Sequence, residues 1–180
     1  MSPTSHAYFD YPVSSIDVPK VYSYSPIPND LDPLLAGHIL GGECNLWSER
    51  IPDIETLDRR FLPRGIAMAE VLWSHPLERD YEAFWERLQN HYPMLDALGY
   101  SYDVEQVPVK LATKNDSFKE ELKVVVTAKP AFANLELAVE APTGMTAGSA
   151  TTFTTRGVHR MKVQPTRDGH AMGKALNYGF

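Results

Sequence analysis

Apolar positions before Tyr100 fall into two short runs, a proline-rich interval and two long stretches with helical spacing. The runs Thr4 to Phe9 and His38 to Trp47 have the length and composition of strands. The paired glycines of the second run predict that another backbone or a ligand approaches closely there. Between the runs, residues 13–33 contain four prolines, which predict a loop with one helical turn at Asp30 to Leu35.

Two amphipathic helices are predicted after Ile54. Apolar residues recur every three or four positions through the first helix, which we expect to bend at Pro63. The second helix is expected to begin near Pro76, to break at Pro93 and to end at Gly99. An order of strand, loop, strand and long helices predicts the last one or two units of a parallel α/β fold, in which a helix follows each strand.

From about Val104 the pattern changes to short alternating segments rich in Thr, Val and Gly. The alternation and the turn signals at Pro142 to Gly144 and Arg167 to Gly169 predict a small β-sandwich over residues 104–180, after an α/β segment over residues 1–100. Candidate strands lie at Val107 to Leu111, Leu122 to Ala128, Leu135 to Val139, Thr151 to Thr155 and Val158 to Gln164.

Charge and hydropathy narrow the classes of partner. The 180 residues carry a formal net charge of -6, and the 17 Lys and Arg residues are scattered, so we expect no nucleic-acid partner. An apolar run such as Ile66 to Trp73 is far shorter than the roughly 18 residues of a membrane span and contains Glu70, so we expect no membrane partner.

The sequence predicts no metal and no cofactor. A single cysteine, Cys44, cannot form an internal disulfide or a cysteine cluster, and the six histidines show no metal-ligand spacing. The first residues have neither the basic nor the apolar region of an export signal, and the compartment stays unknown.

Two clusters combine an aromatic side chain with a carboxylate two positions later: Tyr8 with Asp10, and Trp47 with Glu49. In extended backbone such residues point to the same side, and the carboxyl ends of barrel strands meet at the face that carries active sites. Rings that stack on a sugar and carboxylates that accept hydroxyl hydrogen bonds suit saccharide recognition. The alternative is that Trp47 packs in a core and both carboxylates are solvated loop charges.

Three ordered motifs resemble glycoside hydrolase family 20, the β-N-acetylhexosaminidases. The motifs run from Ser2 to Tyr11, from Ile39 to Glu49 and from Leu62 to Trp73, and are similar to the seventh strand, eighth strand and final helix of that family's catalytic barrel. The resemblance covers roughly residues 1–100 and implies the last two βα units of a TIM (β/α)8 barrel. The tail resembles the small β-sandwich appended to many bacterial members, with the residues from Lys162 to Lys174 similar to its closing hairpin.

This resemblance implies a substrate-assisted retaining mechanism, in which the 2-acetamido oxygen of the substrate attacks the anomeric carbon. Tyr8 matches the tyrosine that bonds to that oxygen and orients it, a catalytic role. Asp10 and Glu49 match carboxylates that bind the C4 and C6 hydroxyls, and Trp47 matches a tryptophan that lines the sugar pocket. The implied partner is a glycan that contains N-acetylhexosamine. Family members are usually exported or lysosomal.

One part of the family's machinery has no counterpart in these residues. The family's acid and its partner form an Asp-Glu pair on the fourth strand, and the sequence contains no Asp-Glu dipeptide. We therefore expect the chain alone to be inactive, and we expect the missing N-terminal barrel portion to be its protein partner. That portion would cover the helices' apolar faces.

Two other functions remain open. The chain could be a noncatalytic glycan-binding or assembly module in which the sandwich binds the ligand. Asp10 and Glu49 could also form a two-carboxylate hydrolase site of their own, for which the separation of the carboxyl groups is diagnostic. We interpret Arg64, Glu70 and Cys44 as structural residues.

Overall fold

The computed structural model describes residues 1–107, 109–116, 121–128, 136–141, 144–148, 150–155, 160–167, 170–171 and 175–179. By their internal contacts the residues separate into two units, Met1–Gln106 and Val107–Phe180. The first unit, which is described throughout, is helical, and the described part of the second unit consists of β-strands.

Short helices and the loops between them make up the first unit. Aspartate side chains set where several of them begin: Asp17 accepts from the Lys20 amide at 3.0 Å, and Asp53 and Asp80 cap later helices in the same way. No helix among the described residues is long and apolar enough to span a membrane. The α-helices are α1 (Thr4–Ala7), α2 (Val18–Tyr22), α3 (Ile54–Phe61), α4 (Arg64–Trp73), α5 (Tyr81–Gln89) and α6 (Tyr92–Leu98), with 3-10 turns at Pro33–His38, Ser48–Arg50 and Pro76–Glu78.

The strand predicted at Thr4 to Phe9 is wrong, because this segment opens with the helical turn α1. Pro3 has no N–H to donate to a β-ladder. Its carbonyl instead accepts from the amides of His6 and Ala7, at 3.1 and 2.9 Å, and so starts a helix.

Parallel pairing between the first two segments is limited to a point on either side of α1. Before it, the amine of Met1 donates to the Gly41 carbonyl at 3.0 Å, and the Met1 carbonyl accepts from the Glu43 amide at 3.3 Å. After it, Tyr8 forms a parallel bridge with Asn45. The second predicted strand is therefore wrong as a continuous element.

The close approach predicted at the paired glycines is confirmed at Gly42. A Cβ at this position would lie 3.0 Å from Leu72 Cδ2, 3.1 Å from the Met1 carbonyl oxygen and 3.2 Å from Tyr24 Cε1. Its neighbour Gly41 has a φ of 145°, a conformation that also favours glycine. These glycines let the first two segments approach each other.

We expect Gly42→Ala to lower the free energy of unfolding of the first unit by about 1–2 kcal/mol, because the added methyl overpacks against a backbone oxygen. Gly37→Ala is the matched control, since a Cβ there meets nothing within 4 Å. That substitution should be neutral or stabilise the unit by up to about 1 kcal/mol through the unfolded state. Urea unfolding measures both variants, and equal effects would contradict the close approach.

A helix also forms in the interval predicted as a loop. α2 follows the capping Asp17 and has Pro19 in its first turn, both of which favour a helix start. The turn expected at Asp30 to Leu35 lies slightly later, at Pro33–His38, because Asp32 accepts from the Leu34 amide at 2.9 Å.

The long helical stretches agree better with the sequence pattern. The first is divided at Pro63, where a bend was predicted, into α3 and α4. The second is divided into α5 and α6 just before Pro93, which lies in the first turn of α6. Gly99 ends α6 at the predicted position, with a left-handed φ of 75°.

The core of the first unit is shared by helices and by the segment that follows α6. The ring of Tyr22 stacks on that of Phe84 with centroids 4.8 Å apart. The Glu105 carbonyl accepts from the Val18 amide at 2.7 Å, so the segment after α6 belongs to this unit. Other buried residues of the core are Val21, Ala67, Met68, Val71, Leu88, Tyr92, Tyr102 and Val104.

The described part of the second unit forms two antiparallel sheets. One has the strand order β1-β2-β5, and the other has the order β4-β3-β6-β7, with β8 also paired to β6. The pattern did not predict β4, β7 or β8. The strands are β1 (Val109–Asp116), β2 (Glu121–Ala128), β3 (Glu136–Ala141), β4 (Gly144–Gly148), β5 (Ala150–Thr155), β6 (Arg160–Arg167), β7 (His170–Ala171) and β8 (Leu176–Gly179).

Both sheets contribute to one buried cluster. Val109, Val124 and Val126 come from β1 and β2, and Met161 and Val163 come from β6. These residues alternate along their strands, as expected for strands with one buried face. Pairing of Ala141 with Gly144 and of Arg167 with His170 brackets the predicted turns, whose middle residues lie outside the described residues.

Candidate functional site

Backbone pairing at Tyr8 and Asn45 brings the two aromatic and acidic clusters to one end of the same contact. The Asn45 amide donates to the Ala7 carbonyl at 2.7 Å, and the Phe9 amide donates to the Asn45 carbonyl at 2.8 Å. The first cluster begins at the paired residue Tyr8, and the second begins two positions after Asn45. Because the bridge is parallel, the two chain segments leave it in the same direction.

The first cluster forms a turn. The expectation that Tyr8 and Asp10 point to the same side assumed extended backbone, and that assumption is wrong. The Tyr11 amide donates to the Tyr8 carbonyl at 3.3 Å. Tyr8 is half-buried, whereas the Phe9 side chain has no exposure and Asp10 is 4% exposed.

The second cluster also departs from the expected conformation. Trp47 is extended, but Ser48–Arg50 form a 3-10 turn, so Glu49 does not continue a strand. Trp47 is 52% exposed and Glu49 is exposed. The alternative that Trp47 packs in a core is therefore excluded for this structure, and its ring is accessible for stacking.

An ion pair joins the two clusters. Arg50 Nη1 lies 3.7 Å from Asp10 Oδ2, and the Arg50 guanidinium carbon lies 4.3 Å from the centre of the Tyr11 ring. Asp10 Oδ1 is buried and has no hydrogen-bond partner among the described residues. Sequence reasoning missed Arg50, because no spacing signal in the sequence connects it with Asp10.

Arg64 anchors the loop that contains the first cluster. Its guanidinium donates to the carbonyls of Phe9 at 2.6 Å, Tyr11 at 2.9 Å and Ile16 at 3.0 Å, and also to that of Arg60. Burial, together with the charge of Arg60, lowers the pKa of Arg64 to about 10, so the side chain is cationic at neutral pH. The structural role predicted for Arg64 is confirmed.

Glu70 is also structural, as predicted. Both of its carboxylate oxygens accept from Arg87 Nη2, at 2.7 and 2.8 Å, and Oε1 accepts from the Tyr22 hydroxyl at 2.8 Å. Burial, then the hydrogen bond to Glu70 and its charge, raises the pKa of Tyr22 to about 12. This network ties α2 to α4 and α5.

The Tyr22 network predicts a loss of stability in alkali. The native state holds the Tyr22 proton up to about pH 12, whereas an unfolded tyrosine loses it near pH 10. The free energy of unfolding should therefore fall as the pH rises between these values. Tyr22→Phe should reduce this slope in urea unfolding, and Tyr100→Phe, at an exposed position, should retain it.

Other groups near the clusters show no reactive arrangement. Burial raises the pKa of the Cys44 thiol, which disfavours the nucleophilic thiolate. No group of three or more His, Cys, Asp or Glu side chains in the described ranges could hold a metal ion. A hollow of about 420 Å³ is lined by Thr4, Ser5, Tyr11, Ser15, Ile16 and Lys20, so it is lined by neither member of the first cluster and adjoins that cluster at Tyr11.

Two curated proteins are similar to part of this chain. A beta-hexosaminidase from Porphyromonas gingivalis is 34% identical over 85 residues, which are 47% of this chain and 11% of that protein. A beta-N-acetylhexosaminidase from Cellulomonas fimi is 30% identical over 117 residues, which are 57% of this chain and 23% of that protein. The chain thus spans 11% to 23% of the length of these relatives.

Solved structures of two enzymes are also similar. An exo beta-N-acetylglucosaminidase of family 20 from Vibrio harveyi, in complex with N-acetylglucosamine, matches with a TM-score of 0.51 and 28% identity over 58% of this chain and 18% of that chain. The N-acetyl-beta-hexosaminidase of Streptomyces plicatus, in complex with Thio-NAglucal, matches with a TM-score of 0.53 and 25% identity over 58% and 23% of the two chains. These neighbours indicate a TIM-barrel catalytic domain fragment with mixed helix and strand content.

A family comparison agrees with these relatives. The family model described as "Glycosyl hydrolase family 20, catalytic domain" matches residues 1–76, a range that includes both clusters and Arg64. Residues 1–76 of this chain therefore match the catalytic domain of glycosyl hydrolase family 20, and the curated relatives and structural neighbours support a fragment of that family.

Proposed function

We propose that this chain provides one wall of the sugar site of a β-N-acetylhexosaminidase that removes terminal N-acetylglucosamine or N-acetylgalactosamine from glycans. The observation that supports this proposal is the parallel bridge between Tyr8 and Asn45, because it joins the first cluster to the segment that leads into the second. The names of the relatives, each a hexosaminidase, support the substrate class.

In this proposal the chemistry is substrate-assisted and retaining. The Tyr8 hydroxyl donates a hydrogen bond to the acetamido oxygen of the substrate and holds it in line with the anomeric carbon. Asp10 and Glu49 accept hydrogen bonds from sugar hydroxyls, and the accessible ring of Trp47 packs against the sugar. Charged acceptors form the stronger hydrogen bonds, so the two carboxylates fix the orientation of the ring.

The remaining catalytic machinery is assigned to a partner segment. Residues 1–100 would be the last two βα units of the barrel, and residues 104–180 a β-sandwich accessory domain. An acid, supplied by an Asp-Glu pair outside these 180 residues, would protonate the leaving group. Nucleic acid and membranes have no part in this function.

Exposed apolar side chains of the first unit support the proposal that another part of the barrel packs against this chain. Ile54, Leu57 and Phe61 recur at helical spacing on α3 and are 73%, 36% and 38% exposed. Leu40 and Trp73 are almost wholly exposed. Apolar surface of this kind favours a protein partner, and the remainder of the catalytic domain is the occupant we assign.

The proposal is tested by titrating N-acetylglucosamine into the 180-residue chain while the Trp47 indole resonance is followed by NMR. We expect saturable binding that weakens about tenfold in Glu49→Gln, because a charged hydrogen-bond acceptor is lost. Glu43→Gln, an exposed glutamate of the same segment, is the matched control and should bind as the parent does.

An activity assay completes the test. The chain alone should not hydrolyse an aryl N-acetylglucosaminide, because it contains no Asp-Glu pair. Turnover by the purified chain would show that the acid is present and would overturn that part of the proposal. The absence of saturable sugar binding would overturn the proposal that this chain provides one wall of the sugar site.

A further inference from the structure

Asp10 is in an unusual position for a carboxylate. Its side chain is 5% exposed, and Oδ1 has no hydrogen-bond partner among the described residues. A buried acceptor without a donor is costly, so such a group in a native protein calls for a physical reason. A ligand that brings a donor to Oδ1 would supply one.

Two arginines, Arg64 and Arg50, lie near this carboxylate. The charge of Asp10 favours the cationic form of Arg64. Arg64 Nε, Nη1 and Nη2 nevertheless all donate to backbone carbonyls. A guanidinium has five N–H groups, and these bonds use all five. Arg64 therefore cannot donate to Asp10 without releasing the loop that it anchors.

Arg50 makes the ion pair with Asp10, and its geometry leaves the carboxylate available. The separation of 3.7 Å between Arg50 Nη1 and Asp10 Oδ2 is longer than a hydrogen bond. The pair is thus electrostatic, and it does not occupy the acceptor positions of the carboxylate. The Tyr11 ring, 4.3 Å from the guanidinium carbon, provides a face against which Arg50 rests.

We propose that Arg50 is a positioning residue that holds the Asp10 carboxylate in place and leaves Oδ1 to accept a hydrogen bond from a saccharide hydroxyl. This inference rests on the proposed sugar-binding function. Arg50 directly follows Glu49 and lies three residues after Trp47, so its pair with Asp10 also links the second cluster to the first. Arg50 acts through Asp10 and is not itself assigned a contact with the sugar.

The test uses the 180-residue chain and N-acetylglucosamine as the probe. Arg50→Met should weaken sugar binding about tenfold, because the acceptor loses the charge that orients it. Arg50→Lys should recover most of the affinity, since it restores a cation. Arg160→Met, at an exposed arginine of the second unit, should leave the affinity unchanged. Binding by Arg50→Met within twofold of the parent would overturn the proposal.

A second measurement does not depend on the sugar. NMR of the Arg50 guanidinium should show restricted rotation in the parent chain and free rotation in Asp10→Asn. Free rotation in the parent would overturn the proposal even if sugar binds. Restricted rotation that Asp10→Asn releases, in a chain that fails to bind sugar, would support the hold on Asp10 and overturn the proposed function instead.

Discussion

Arg64→Met should lower the free energy of unfolding of the first unit by about 3–5 kcal/mol, because several buried backbone carbonyls lose a charged donor and each such loss costs about 1–3 kcal/mol. Arg64 is 3% exposed and donates to carbonyls in three separate places along the chain. Methionine fills similar space but offers no donor, so those carbonyls stay buried without partners. Urea unfolding followed by circular dichroism measures the loss.

Two further variants keep this result interpretable if Arg64→Met does not fold. Arg64→Lys retains the charge but lacks the planar fork, so we expect an intermediate loss of stability. Arg60→Met is the matched control in the preceding turn. The positive charge of Arg60 repels that of Arg64 and lowers the pKa of Arg64. Removing that repulsion should leave the unfolding free energy unchanged or slightly raised. A loss in Arg60→Met equal to that in Arg64→Met would contradict the anchoring role.

The helices were predictable from sequence because their signals are local. Apolar spacing located α3, α4 and α5, and a glycine marked the end of α6 at Gly99. Each of these signals affects the conformation of only a few neighbouring residues. No distant part of the chain was needed to interpret it.

The predicted strands failed because a strand depends on its partners. The segment from Thr4 to Phe9 has strand-like composition, but within it only Tyr8 forms a parallel bridge with the second segment. Pro3 instead directs the intervening residues into α1, and this effect of a proline outweighed the apolar pattern.

The candidate site was partly predictable for a similar reason. The motifs identified Tyr8, Asp10, Trp47 and Glu49, and the structure joins the two segments that contain them by a bridge between Tyr8 and Asn45. The contact of Arg50 with Asp10 joins residues far apart in sequence, and spacing along one chain contains no signal for it. The burial of Asp10 was equally hidden, since most carboxylates are exposed.

Phe9→Ala should cost about 3–5 kcal/mol of unfolding free energy, the range for removing a buried phenylalanine ring. The Phe9 side chain is fully buried. Its ring centre lies 6.4 Å from that of Phe61 and 4.9 Å from the Arg64 guanidinium carbon. Because Phe9 lies between Tyr8 and Asp10, its packing also fixes the turn that positions them. Phe9→Leu, which keeps most of the apolar volume, should cost less than about 1.5 kcal/mol.

Trp73→Ala provides the control for loss of a large ring, since Trp73 is 92% exposed and should change stability by less than about 0.5 kcal/mol. A double-mutant cycle then separates packing from the contact between Phe9 and Arg64. Combining Phe9→Leu with Arg64→Lys should give a coupling energy of about 0.5–2 kcal/mol, because each change weakens the same cation–π contact. Strict additivity would show that Phe9 contributes packing alone, and that the guanidinium holds the loop only through its carbonyls.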